Sequence, residues 1–251
     1  MSGFAHPAFE PYRDLLARLA GSMDLQALNE IAEQADARHA KSGGALRFAS
    51  LPGPTSAAQY EQSIAATGII PTRENNLHDF LNALVWLRFP RLKSELNLRH
   101  CEMLARQPGE RKQRGRLRDQ LTLLDESGML AISSDTGLLE LLRGKKWTEL
   151  FWERRAEVER HMRFIVVGHG LLEKCLAPFP GMTAKCLFLH TPETCLGALD
   201  AFAAKAVRDA ESLELPPLPV QGVPGWDDNA CRAYYQNTEI FRPARTPPPA
   251  A

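Results

Sequence analysis

Between Leu77 and Phe89 the chain reads Leu-His-Asp-Phe-Leu-Asn-Ala-Leu-Val-Trp-Leu-Arg-Phe, and from Phe80 to Leu87 only Asn82 is polar. A helix that is apolar on every side has no wet face, so the rest of the chain must fold around it. Its limits are local. Asn76 is a good N-cap, and Pro90 suits the first turn of a following helix that runs to about Arg106. With 251 residues, 44% of them hydrophobic and 24% charged, the chain has material for such a core, and these fractions exclude a disordered chain, a collagen or a membrane bundle.

The 30 basic residues balance 30 acidic ones, so net charge points neither to a nucleic-acid clamp nor to an acidic tail. The N-terminus lacks the basic and apolar regions of a signal peptide, and no apolar run approaches the ~20 residues that span a bilayer. The expectation is a cytoplasmic protein with no membrane segment. Five cysteines, an odd count without Cys-x-x-Cys, suit a reducing compartment. Cys186, His190 and Cys195 are spaced suggestively, but Cys186 falls in an apolar run from Lys185 to Leu189 that reads as a strand. Ordinary buried thiols are favoured over a metal there.

Around the central helix, residues 8–40 read as two short helices, Arg47 to Leu51 as a strand and Tyr60 to Thr67 as a helical turn or two. Gln107 to Arg116 reads as a polar loop. Leu121 to Asp125 and Met129 to Ser133 then form a β-hairpin about Gly128, which takes the left-handed position after a type I turn. Trp147 to Ala177 is the longest helical pattern, interrupted at Gly168-His169-Gly170. Cys195 to Ala210 is a helix. The proline-rich tail beyond it cannot be helical, and its aromatics make it an extended strap on the core as far as Phe241.

Several residues are placed where they could carry chemistry. His78 stands in the first turn of the buried helix, where the dipole favours a neutral imidazole suited to a ligand or general base. Asp79 beside it also fits the third position of a capping box begun at Asn76, and Arg73 adds to a polar helix mouth. Asn82, one turn on, must find hydrogen-bond partners in the interior. His100 shares the apolar stripe of Leu92, Leu96 and Leu104, and His169 lies between two glycines with Glu173 one turn later to orient it. For both, a structural role competes with a functional one. Asp125 and Glu126 at the expected hairpin tip could hold a divalent cation, although Asp also favours a turn and Glu126 reads as solvated. The basic run Arg106 to Arg118 lacks stacking aromatics, so a solvated loop is preferred to a nucleic-acid contact. No dinucleotide, P-loop, serine-hydrolase elbow or zincin motif is present.

Arg73, the string Asn76 to Trp86, Phe89-Pro90 and Asn97 to His100 together resemble the hallmark segment of a proteobacterial domain family of unknown function, number three thousand and twenty-five. Leu121 to Gly128, Phe151 to Arg155, Gly168 to Glu173 and Gly222 to Trp226 are similar to its later segments. The resemblance implies a bacterial protein and one family domain; it brings no activity, cofactor or partner. The expected fold is α+β and mainly helical, a single domain over residues 1–245 with a small sheet built on the hairpin and the strands near 47 and 185. A disordered tail follows at 246–251. The expected function is a hydrolase, with a divalent metal as the candidate cofactor, acting on a small or phosphate-containing substrate. His78, Asp79, Asp125 and His169 are its catalytic candidates, and Arg73, Asn76, Asn82, His100 and Arg118 bind substrate. The competing reading is an RNA- or protein-binding module whose histidines are buried hydrogen-bond centres.

Overall fold

The computed structural model describes residues 2–20, 22–39, 43–51, 56–105 and 111–244. Leu15, Leu16 and Leu19, then Leu28 and Ile31, turn inward on α1 (Arg13–Leu19) and α2 (Leu25–Gln34). The strand expected near 47 is β1 (Arg47–Ala49). It pairs in parallel with β2 (Ile69–Pro71), which the sequence pattern does not reveal, across α3 (Ala57–Thr67), and this two-stranded sheet is separate from the main one.

The central helix forms as its local signals require. In α4 (Leu77–Arg88) Asn76 Oδ1 accepts the Asp79 amide at 2.9 Å, and Phe80 to Leu87 are all buried. Pro90 opens α5 (Pro90–Ala105). The free amides of its first turn, on Arg91 and Leu92, donate to the Asp200 carboxylate at 3.0 and 2.8 Å.

The next segment departs from expectation. Residues 111–127 form a helix, α6 (Arg111–Ser127), which runs straight into β3 (Gly128–Ser133), so there is neither a loop from Arg111 nor a hairpin at 121–133. Leu117, Leu121 and Leu124 are buried while Leu123 is 41% exposed, which is helical spacing and not strand alternation. Residues 106–110 and the side chains of Arg111, Lys112 and Arg114, most of the basic run, lie outside the described residues, as does the tail at 246–251.

The long helix expected from Trp147 to Ala177 is also broken up. After α7 (Thr136–Arg143), a π-helical turn at Glu149–Glu153 leads to α8 (Arg155–His161), β4 (Met162–Val166) and α9 (His169–Lys174). The run Phe164-Ile165-Val166 is aromatic and β-branched, and it pairs antiparallel with β3. The sheet is completed by β5 (Thr183–His190), parallel to β3, and, beyond α10 (Leu196–Asp209), by β6 (Pro217–Pro219), giving the order β4-β3-β5-β6. The fold is α+β and mainly helical, as expected. The C-terminal strap is not wholly extended, because it contains β6 and a short helix, α11 (Arg232–Tyr235). It does bind the core: Tyr235 and Phe241 are buried, and Trp147 Nε1 donates to the Arg242 carbonyl at 2.9 Å.

One junction sets up the site. A Cβ on Gly168 would lie 2.3 Å from the Gly128 nitrogen, and one on Gly170 would lie 2.7 Å from Glu126 Oε2. These glycines let the start of α9 press against the end of α6 at a distance no side chain would permit. Gly128 has no positive φ; a Cβ there would lie 2.1 Å from the Leu124 carbonyl oxygen, so it too is required by close approach.

Candidate functional site

The glycine junction brings the last turn of α6, with Asp125 and Glu126, to the first turns of α4 and α9, with His78 and His169. The negative end of a helix dipole bearing two carboxylates is unfavourable alone and is offset by facing cations or positive helix ends. Here the rings of His78 and His169 meet edge to face with centroids 4.6 Å apart. His169, 5% exposed, has Nε2 3.5 Å from Glu126 Oε1 and Nδ1 3.9 Å from Asp125 Oδ2. That Nδ1 is buried without a hydrogen-bond partner among the described residues.

His78 is half-buried, and its Nδ1 lies 2.8 Å from Glu173 Oε2. A carboxylate only accepts, so Nδ1 carries a proton, and in the neutral ring the lone pair is then on Nε2. Glu173 therefore orients His78 and not His169, its neighbour on the same helix. Hydrogen bonding from His169 holds the Glu126 carboxyl below the usual range. Burial pushes Asp125 upward, but the buried Lys93 ammonium, which pairs with it directly, and then His169 outweigh burial and keep it low. Both carboxylates are thus ionised and ready to act as ligands or as partners of ligands.

His78, Glu126 and His169 each offer a ligand atom, and these atoms lie within 4.8 Å of one another; they are the one such set among the described residues. Ligand atoms around a tetrahedral zinc at ~2.1 Å stand about 3.4 Å apart, so small rotations close the set. His78 is backed by its hydrogen bond to Glu173, the usual outer support of a metal-bound histidine, and Asp125 faces His169 Nδ1 at 3.9 Å without bonding it. His78, Glu126 and Glu173 also line an open cleft of about 530 Å³, whose other walls include Ser127, Lys174 and Phe179.

The remaining expected residues lie elsewhere. Asp79 accepts the Arg73 backbone amide at 2.8 Å and its guanidinium at 2.9 Å on both oxygens, so this pair and the Asn76 cap are committed to the helix entrance. Asn82 has only a 3.4 Å contact from Nδ2 to the Tyr60 hydroxyl, and its buried Oδ1 has no partner among the described residues. The expectation of a fully satisfied amide is not met. Arg118 is exposed on α6 and does not line the cleft. Cys186 and His190 are four residues apart on β5, about 13 Å along a strand, and cannot share an ion.

His100 sits on the far side of Asp125, with its imidazole pKa lowered by burial. There a closed chamber of about 20 Å³ is lined by Tyr60, Glu61, Lys93, Asn97, His100 and Asp125. Asn97 donates to the backbone carbonyl and carboxylate of Glu61 and accepts from His39 Nε2 at 3.0 Å. Burial pushes the Glu61 carboxyl up to about 7. Lys93, Glu61 and His39 were not anticipated, and no local signal marks them: Lys93 and Asp125 are 32 residues apart in the chain.

The family profile for proteins of unknown function (DUF3025) matches residues 46–245. The chain belongs to that family. No curated protein and no solved structure matches it. No helix among the described residues is long and apolar enough to cross a membrane.

Proposed function

We propose that this DUF3025 protein is a metal-dependent hydrolase of small, phosphate-containing substrates, with one divalent ion held by His78, Glu126 and His169. The observation that carries the reading is the convergence of two imidazoles and an ionised carboxylate beside an open cleft, with His78 hydrogen-bonded to a second carboxylate, Glu173. Two histidines and one glutamate leave open positions on zinc and also suit non-haem iron. The ion would lower the pKa of a bound water and polarise a phosphoryl oxygen. Glu173, hydrogen-bonded to His78 Nδ1, would hold the ring with Nε2 turned to the ion. The water oxygen would bond to phosphorus as the ester oxygen departs, and the water's proton would pass to the leaving oxygen, giving an alcohol and inorganic phosphate.

Elemental analysis of protein purified without a histidine tag tests this directly. We expect near-stoichiometric zinc, iron or manganese in the native protein and its loss in both His78→Ala and His169→Ala. Because His78 is half-buried at a helix mouth, His78→Ala should change stability by less than about 1 kcal/mol. A native protein that stays metal-free after dialysis against each ion overturns the proposal.

A further inference from the structure

Beyond His78 and Glu126, the cleft holds a cation and a flat apolar face. Lys174, the last residue of α9, is exposed and makes no ion pair among the described residues. Phe179, also on the cleft wall, is 48% exposed, and Ala177 lies between them in sequence on the same wall. Charge counting gives Lys174 its importance. Asp125 is balanced by Lys93, so Glu126 and Glu173 leave two negative charges, which a divalent ion cancels. Without Lys174 the loaded site is neutral and has no net attraction for an anion. With it, the site carries one positive charge in a partly enclosed space, where such a charge selects an anionic ligand.

Resting on the hydrolase reading above, we propose that the cleft recognises phosphomonoesters whose organic part is flat and apolar. Lys174 binds the phosphate beside the metal centre and Phe179 stacks on the organic group. Ser127, at the end of α6, also lines the cleft, and its hydroxyl would add a donor for a phosphate oxygen. The volume of about 530 Å³ falls within the range of small-molecule sites, roughly 300–1,000 Å³. An exposed phenylalanine has little use on a surface that binds only inorganic phosphate, but it gives a planar group face-to-face contact at little entropic cost.

The test uses phenylphosphonate, whose carbon–phosphorus bond the proposed reaction does not cleave, titrated calorimetrically into the full chain with and without zinc. Zinc-loaded protein should bind phenylphosphonate about tenfold more tightly than methylphosphonate, from ring stacking. Lys174→Ala should weaken both ligands by about tenfold, the loss of a charge-assisted hydrogen bond, with zinc content unchanged. Phe179→Ala should erase the preference for the phenyl ligand and leave methylphosphonate unaffected. Both side chains are exposed, so neither change threatens the fold. Equal binding of phenylphosphonate and benzyl alcohol, or affinities indifferent to both substitutions, would overturn this recognition and leave the metal centre standing. Lys174-dependent binding by a protein that takes up no metal would keep the recognition and overturn the hydrolase. Absence of phenylphosphonate binding in both states overturns the recognition whatever the metal result.

Discussion

Two clusters of imidazoles and carboxylates meet at Asp125, and they differ in how completely their polar atoms are paired. On one side, Asn97 joins Glu61 to His39 by hydrogen bonds beside a space of about 20 Å³, room for a single water molecule. On the other, His78 bonds Glu173 through Nδ1 alone among the described residues, Glu126 and Glu173 reach an open cleft, and behind them His169 Nδ1 is buried without a partner among the described residues. Residue type does not separate them. Saturation does: a paired, enclosed network fixes the packing of α3 against α5, whereas unpaired donors and acceptors at an accessible wall can still bind something. The same contrast occurs between neighbours on α4, since Asp79 is fully engaged by Arg73 and His78 is not.

The sharpest way to break this comparison is to remove the group that joins the two sides. Lys93 is 4% exposed and pairs with Asp125. Lys93→Met leaves that carboxylate uncompensated and should cost about 3 kcal/mol in denaturant melts, the low end for a broken buried pair because Asp125 keeps some exposure. A loss below about 1 kcal/mol would mean that the two clusters are energetically independent.

The closed side makes a pH prediction. The Glu61 carboxyl is raised from its ordinary 4.5 to about 7 by burial. Between those values the native state keeps a proton that the unfolded chain has lost, so stability falls as pH rises through this window. Glu61→Gln keeps the acceptor for Asn97 without the charge. It should flatten that slope and raise stability above pH 7 by roughly 3 kcal/mol, since a carboxyl costs about 1.4 kcal/mol for each pH unit that separates its folded and unfolded titrations. Melts from pH 4 to 8 with parallel curves for the two proteins would remove Glu61 as the cause. The smallest effect belongs to Asn82, whose single contact to Tyr60 is long. Asn82→Leu should change stability by less than about 1 kcal/mol, and a larger loss would reveal a partner stronger than a 3.4 Å bond.

How much of this could be read from the chain follows the range of the interactions. α4 and α5 were legible because a cap, a proline and an unbroken apolar run all act within a few residues. α6 reads as a loop and strand because adjacent leucines and a following glycine imitate a hairpin; the burial of Leu117, Leu121 and Leu124 depends on what the helix packs against. β4 was hidden because Met162 and Ile165 are buried in either conformation and fit a helical stripe as well as a strand. At the site, both histidines were visible from their unusual settings, at a helix mouth and between glycines. Glu126 reads either as a cation-holding partner of Asp125 or as solvated, and its meeting with His169 depends on Gly168 and Gly170, whose role is contact between segments and cannot be inferred from their neighbours in sequence.

That glycine contact also has a kinetic meaning. The groups around the proposed centre come from three separate stretches, and His78 and Glu173, which hydrogen-bond across it, are 95 residues apart. Contacts of this range form only after long loops have closed, so a refolding chain acquires them late. The strand pairing of β3 with β4, the seating of α9 and the approach of both histidines to Glu126 all depend on the chain passing close at Gly128 and Gly168. An ion captured there binds the native state and not the unfolded one, and mass action turns that preference into added stability. Metal uptake would therefore mark the completion of tertiary assembly, and its release would mark the first loosening of the α6–α9 junction.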